Sequence, residues 1–118
     1  MEPHVKLWIE HNGRLAMGDY RLQILELIEA DGSLAGAAER LNLSYRRAWG
    51  KVKEVESNRG RPLVISRVGG AGGGRTELTP EGRALLERYR TFQRRAGAAV
   101  NDIFRETFGE PAPGESPP

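Results

Sequence analysis

Apolar positions in residues 33–55 recur with helical spacing twice, on either side of a short break. Leu34, Ala37, Ala38 and Leu41 fall at i, i+3, i+4 and i+7, one face of a helix. Beyond Asn42 and Leu43, Ala48, Val52 and Val55 repeat that spacing. Ser33 and Ser44 each stand where an N-cap belongs. Two short helices about a tight break form the pattern of a helix-turn-helix. The small Ala37 and Ala38 let another helix approach closely. Opposite the second apolar stripe lie Arg46, Arg47, Gly50 and Lys53. On a lone helix such a face is simply solvated. On the second helix of this motif it points at a major groove, where arginine binds guanine bidentately and glycine lets backbone approach backbone.

The rest of the chain frames that motif. Val5, Leu7 and Ile9 alternate with Lys6, Trp8 and Glu10, which predicts a strand over residues 5–11 with one buried face. Asn12-Gly13 signals a turn, and residues 14–17 read as a return strand. Trp8 falls on the outer side of that strand; core packing is the expected account, a neighbouring helix or partner subunit the other. Asp19 is expected to cap a helix running to about Ala30, with Tyr20, Ile24, Leu27 and Ile28 as its stripe and Leu25 alongside. Gly32 reads as its left-handed C-cap. Residues 58–60 close the second helix of the motif.

Leu63-Val64-Ile65 reads as a strand and Glu77-Leu78-Thr79 as its antiparallel mate. The glycine-rich stretch between them, flanked by Arg67 and Arg75, has the make-up of a wing reaching phosphates or a minor groove. Thr79 then caps the last helix, with Pro80 at its first position. Leu78, Gly82, Leu85, Tyr89, Phe92, Ala96, Ala99 and Ile103 step alternately by four and three, a heptad seam about 40 Å long. A helix that long exceeds what a small domain can cover, so Leu85, Tyr89, Phe92, Ala96, Ala99 and Ile103 are expected to form a dimer interface. The tail at 109–118 has no apolar pattern and reads as disordered.

At 118 residues the chain bounds one domain with a modest core. Its formal charge is only +2, but residues 45–75 hold eight Lys and Arg (46, 47, 51, 53, 59, 61, 67, 75) against two acids (54, 56). Such a surplus fits a polyanion. The chain has no cysteine, so neither a disulfide framework nor a thiolate metal site arises. Charges interrupt every apolar run well short of a membrane helix, and a cytoplasmic protein without membrane contact is expected.

Chemistry finds little foothold. Gly69-x4-Gly74-Arg75-Thr76 has phosphate-loop spacing, but with arginine where lysine is needed and strand, not helix, following. His4 and His11 fall on opposite faces of the first strand, so they form no metal site. No nucleophile triad or carboxylate pair is visible. No enzyme, cofactor or metal is expected.

The order helix, helix-turn-helix, hairpin with wing, long helix resembles the winged helix of LysR-type regulators. Leu41-Asn42-Leu43-Ser44, Arg61-Pro62-Leu63-Val64 and Leu78-Thr79-Pro80-Glu81-Gly82 carry that resemblance. Ser44-Tyr45-x-x-Ala48-Trp49, the glycine wing and Leu78-Thr79-x-x-Gly82 look closer to ModE, the molybdate-responsive transcription regulators. The resemblance spans roughly residues 5–108. It implies a mainly α fold with small β-hairpins. Residues 1–80 would be a winged helix-turn-helix with an N-terminal hairpin, and 81–108 a long dimerisation helix. It further implies a homodimer reading a palindromic operator in double-stranded DNA. The expected contacts are Ser44, Tyr45, Arg46, Arg47, Gly50, Lys51 and Lys53 on a recognition helix at about 45–58, and Arg67 and Arg75 on a wing at about 67–76. ModE carries C-terminal oxyanion-binding modules that this sequence does not show, so tight molybdate binding is not expected of this chain alone. The other reading is a winged-helix protein-interaction module or a co-regulator needing a separate sensor subunit. A protein-binding version would place apolar residues at 46, 47, 50 and 53, where three of the four are basic.

Overall fold

The computed structural model describes residues 1–67 and 75–109. The glycine tip expected at 69–74 and the tail at 110–118 lie outside them. The described elements are β1 (Trp8–His11), β2 (Arg14–Gly18), α1 (Asp19–Asp31), α2 (Leu34–Arg40), α3 (Tyr45–Arg59), β3 (Val64–Arg67), β4 (Arg75–Leu78) and α4 (Pro80–Phe108). The fold is mainly α, with two antiparallel hairpins, β1–β2 and β3–β4.

Local chemistry sets the boundaries. Ser33 Oγ accepts from the Gly36 N–H at 2.9 Å, Ser44 Oγ from Arg47 at 3.1 Å and Thr79 Oγ1 from Gly82 at 3.0 Å, one cap for each of α2, α3 and α4. Gly32 and Gly60 end α1 and α3 at φ 69° and 71°. Asn42, at φ 56°, turns the chain between α2 and α3, and the Leu43 N–H closes back onto the Ala38 carbonyl at 2.9 Å. Asn12 and Gly13 both take positive φ, the requirement of a tight two-residue hairpin. Asp19 is not the cap of α1. Gly18 holds that place without a side-chain bond, and Asp19 is the first helical residue, its charge at the positive end of the helix dipole.

One core joins all the helices. Leu22, Ile24, Leu25 and Ile28 of α1 meet Leu34, Ala37 and Ala38 of α2, and Ala48, Val52 and Val55 of α3. The expected stripe of α1 is corrected in part, because Tyr20 is exposed and Leu27 only half-buried, while Leu22 is inside. Leu63 and Leu78, at the root of the second hairpin, close the core together with Leu85, Leu86 and Tyr89 of α4. The first turns of α4 are therefore part of this core. Beyond them α4 runs to Phe108.

The first hairpin departs from its expected pattern. The strand begins at Trp8, not at Val5, and all four residues of β1 are exposed. Trp8 is not a core residue; its Nε1–H donates to Glu10 on the same strand at 2.9 Å. A bulge between Ile9 and Glu10 shifts the register, so alternation no longer assigns a single buried face. Leu7 lies beside α4, where its carbonyl accepts from the buried Tyr89 hydroxyl at 3.0 Å. Burial and the charge of Asp19 push the Tyr89 pKa up.

Candidate nucleic-acid interface

Helix α3 buries Ala48, Val52, Val55 and Glu56 and turns Tyr45, Arg46, Arg47, Trp49 and Lys53 to solvent. That division follows from 3.6 residues per turn. Of the four residues expected opposite the apolar stripe, Arg46, Gly50 and Lys53 stand there, and Arg47 is exposed on the flank. A Cβ on Gly50 would meet no atom within 4 Å, so the outer side of α3 is open there. Ser44 is exposed and has its hydroxyl engaged as the N-cap.

The basic surplus of residues 45–75 is not uniformly available. Lys53 Nζ lies 2.9 Å from Glu56 Oε1. Arg61 and Arg59 approach Glu81 at 3.2 and 3.6 Å. Arg67 Nε donates to Glu77 on the facing strand at 3.0 Å. Among the described residues, Arg46, Arg47, Lys51 and Arg75 have no carboxylate within 4 Å. Lys51 is turned aside, half-buried, with its ammonium 5.4 Å from the centre of the Tyr20 ring on α1. It does not join the outer face of α3.

Arg67 and Arg75 are directly opposed at the base of the wing. The guanidinium of Arg75 lies over Gly32, where a Cβ would stand 2.8 Å from Nη2. Next to it the Thr76 N–H donates to the Gly32 carbonyl at 3.0 Å, which ties β4 to the α1–α2 turn. Thr76, the last position of the phosphate-loop look-alike, is thus a buried strand residue rather than the start of a helix.

Glu56 ties the start of the second hairpin to α3. Its carboxylate accepts from the Leu63 N–H at 2.8 Å and from Val64 at 3.3 Å, besides Lys53. Burial works to raise the Glu56 pKa. The Lys53 bond, the two backbone N–H groups and the Lys53 charge outweigh it and hold the carboxyl below its usual range. A second tie, between Arg21 of α1 and Glu54 of α3, locks the two helices. Neither pairing was readable from the sequence, because each partner is set by the fold.

The expected dimer seam divides in two. Leu85 and Tyr89 are 9% and 2% exposed and packed into the chain's own core. Phe92, Ala99 and Ile103 are exposed and Ala96 is half-buried. Trp49, which is not among the expected contacts, is exposed one turn after Tyr45. Its helical phase was the available signal.

The profile of bacterial regulatory helix-turn-helix proteins of the lysR family matches residues 20–83. The molybdenum transport protein ModE of Azotobacter vinelandii is 38% identical over 78 residues, 66% of this chain and 29% of that protein. The transcriptional regulator ModE of Yersinia pestis is 29% identical over 105 residues, 86% of this chain and 40% of that protein. This chain thus spans well under half the length of either relative. Among solved structures, the protein of a CbnR_DBD–DNA complex superposes with a TM-score of 0.55 at 27% identity, covering 75% of this chain and 97% of that one.

Proposed function

The chain belongs to the lysR family of bacterial regulatory helix-turn-helix proteins, and from that premise we propose that it is a sequence-specific, ModE-like transcription regulator that binds duplex DNA. The observation that carries this reading is the outer face of α3, where Arg46 and Arg47 are exposed with no carboxylate partner. Bare guanidinium groups on the second helix of this motif match the acceptor edges of guanine in a major groove. A chain similar over 75% of this one has been solved as a complex with DNA, which supports the same reading.

On this reading Ser44, Tyr45, Arg46, Arg47 and Gly50 meet the DNA, and Arg75 at the wing base meets a phosphate. Lys51, Lys53 and Arg67 are held by neighbours and contribute less directly. Two copies pair through the second half of α4, along Phe92, Ala96, Ala99 and Ile103, and so present two recognition helices to a palindromic operator. The protein performs no catalysis and acts in the cytoplasm; no helix of the described residues is long and apolar enough to cross a membrane.

The test is selection of bound duplexes from a random pool. Enrichment of a palindromic sequence supports the reading. Retention of every sequence alike, or of none, overturns it, and capture of a protein partner through the same face would favour the interaction-module alternative.

A further inference from the structure

We infer that Trp49 reads sequence in this interface, its indole making apolar contact with the 5-methyl group of a thymine in the major groove, and that Lys53 and Glu56 position it. The inference rests on the DNA-binding reading above. A large aromatic residue stands 47% exposed on the outer flank of α3. The buried side of the helix at that level is filled by Ala48, which is fully covered. Tyr45, one turn earlier, is also exposed, so two aromatic rings line one flank beside Arg46. These positions occupy the first turns of the helix, the part that meets base edges in this motif.

The indole is held rather than free. Lys53 Nζ sits 5.3 Å from its ring centre. The same ammonium bonds to Glu56, and Glu56 bonds to the backbone at Leu63 and Val64. A chain of contacts thus runs from the root of the wing to the indole. Lys53, the cation that the sequence offers for DNA, serves instead to orient its neighbour. An oriented aromatic ring loses little side-chain freedom on contact, which suits an anchor at a binding surface. Indole has one N–H donor and otherwise an apolar surface, and the thymine methyl is the apolar group that major-groove edges present.

The experiment uses the full chain and the operator enriched from the random pool. Each thymine is replaced in turn by deoxyuridine, which removes only the methyl. Wild-type protein should lose about fourfold in affinity at one position per half-site, the value of burying one methyl group. Trp49→Ala should bind more weakly and be indifferent to uracil at that position, while Trp49→Phe keeps part of the discrimination. Lys53→Met should reduce the thymine-to-uracil ratio beyond any general loss of affinity or stability, and Lys53→Arg should restore it. A wild type indifferent to uracil at every position, or a Trp49→Ala variant as sensitive as wild type, overturns the inference and leaves the DNA-binding reading standing. Failure to enrich any operator overturns both.

Discussion

A Cβ placed on Gly82 would stand 2.2 Å from the carbonyl oxygen of Leu63. Helix α4 therefore meets the root of the wing at a distance only hydrogen can fill. The same carbonyl accepts from the Thr79 N–H at 2.9 Å, and Thr79 Oγ1 donates to the Pro62 carbonyl at 2.8 Å. The start of α4 and the entry to β3 form one unit, and Gly82 is the residue that permits it.

Gly82→Ala should then destabilise the fold, even though alanine is the better helix former. The clash is with backbone, which cannot rotate away, so a cost of about 3 kcal/mol is expected. For a domain of this size that lowers the melting temperature by on the order of 10–20 °C. Circular dichroism melts of the two proteins decide it; an unchanged midpoint would mean that α4 can slide off Leu63.

Acid should weaken the fold partly through Glu56. Its pKa is lowered on folding, so the folded protein binds fewer protons there than the unfolded chain. The stability it contributes is complete above the ordinary glutamate value of about 4.3 and is lost as pH falls through the lower folded value. Urea unfolding of wild type and Glu56→Gln at pH 7, 4 and 3 should show the difference between them shrinking with acid. Curves that stay parallel would assign the acid loss to other carboxylates.

Arg46 and Arg75 should fail differently. Arg46→Ala should cost about 1–3 kcal/mol on the selected operator and relax preference at one position in each half-site. Arg75→Ala should weaken all duplexes alike and flatten the dependence on salt. Equal losses on operator and random DNA for both variants would remove the distinction between base reading and phosphate contact.

Pairing through α4 predicts opposite outcomes for two positions one heptad apart. Phe92 is 44% exposed, so Phe92→Glu should leave the monomer folded yet put an unpaired charge into the dimer contact. Sedimentation should then show monomers with an intact helical spectrum. Leu85→Glu should unfold the chain itself, because Leu85 is in the core. A Phe92→Glu protein that still sediments as a dimer would move the interface to another surface.

Molybdate should not bind tightly to this polypeptide alone. The cations nearest the wing, Arg67 and Arg75, are respectively bonded to Glu77 and laid over Gly32. Calorimetry with micromolar molybdate or tungstate should be flat. A micromolar dissociation constant would make these two arginines the first ligands to replace.

The sequence by itself determined most of what neighbours within a turn or two govern, although Asp19 proved to be the first residue of α1 and not its cap. The caps at Ser33, Ser44 and Thr79, the left-handed glycines at 32 and 60 and the Asn12-Gly13 turn depend on local backbone geometry. So does the phase that turns Ala48, Val52 and Val55 inward and Arg46 outward. Tertiary structure decided what partners these surfaces meet. A heptad stripe has the same spacing whether its own domain or a second copy covers it, so nothing in the pattern separated Leu85 and Tyr89 from Phe92 and Ile103. Formal charge does not say which cations are neutralised, because Arg67 finds Glu77 across a hairpin and Arg61, before that hairpin, finds Glu81 after it. Alternation in β1 likewise could not place Trp8, since a bulge breaks the register and no described element covers that strand's outer side. Local rules fix direction, and only the folded chain fixes what lies in that direction.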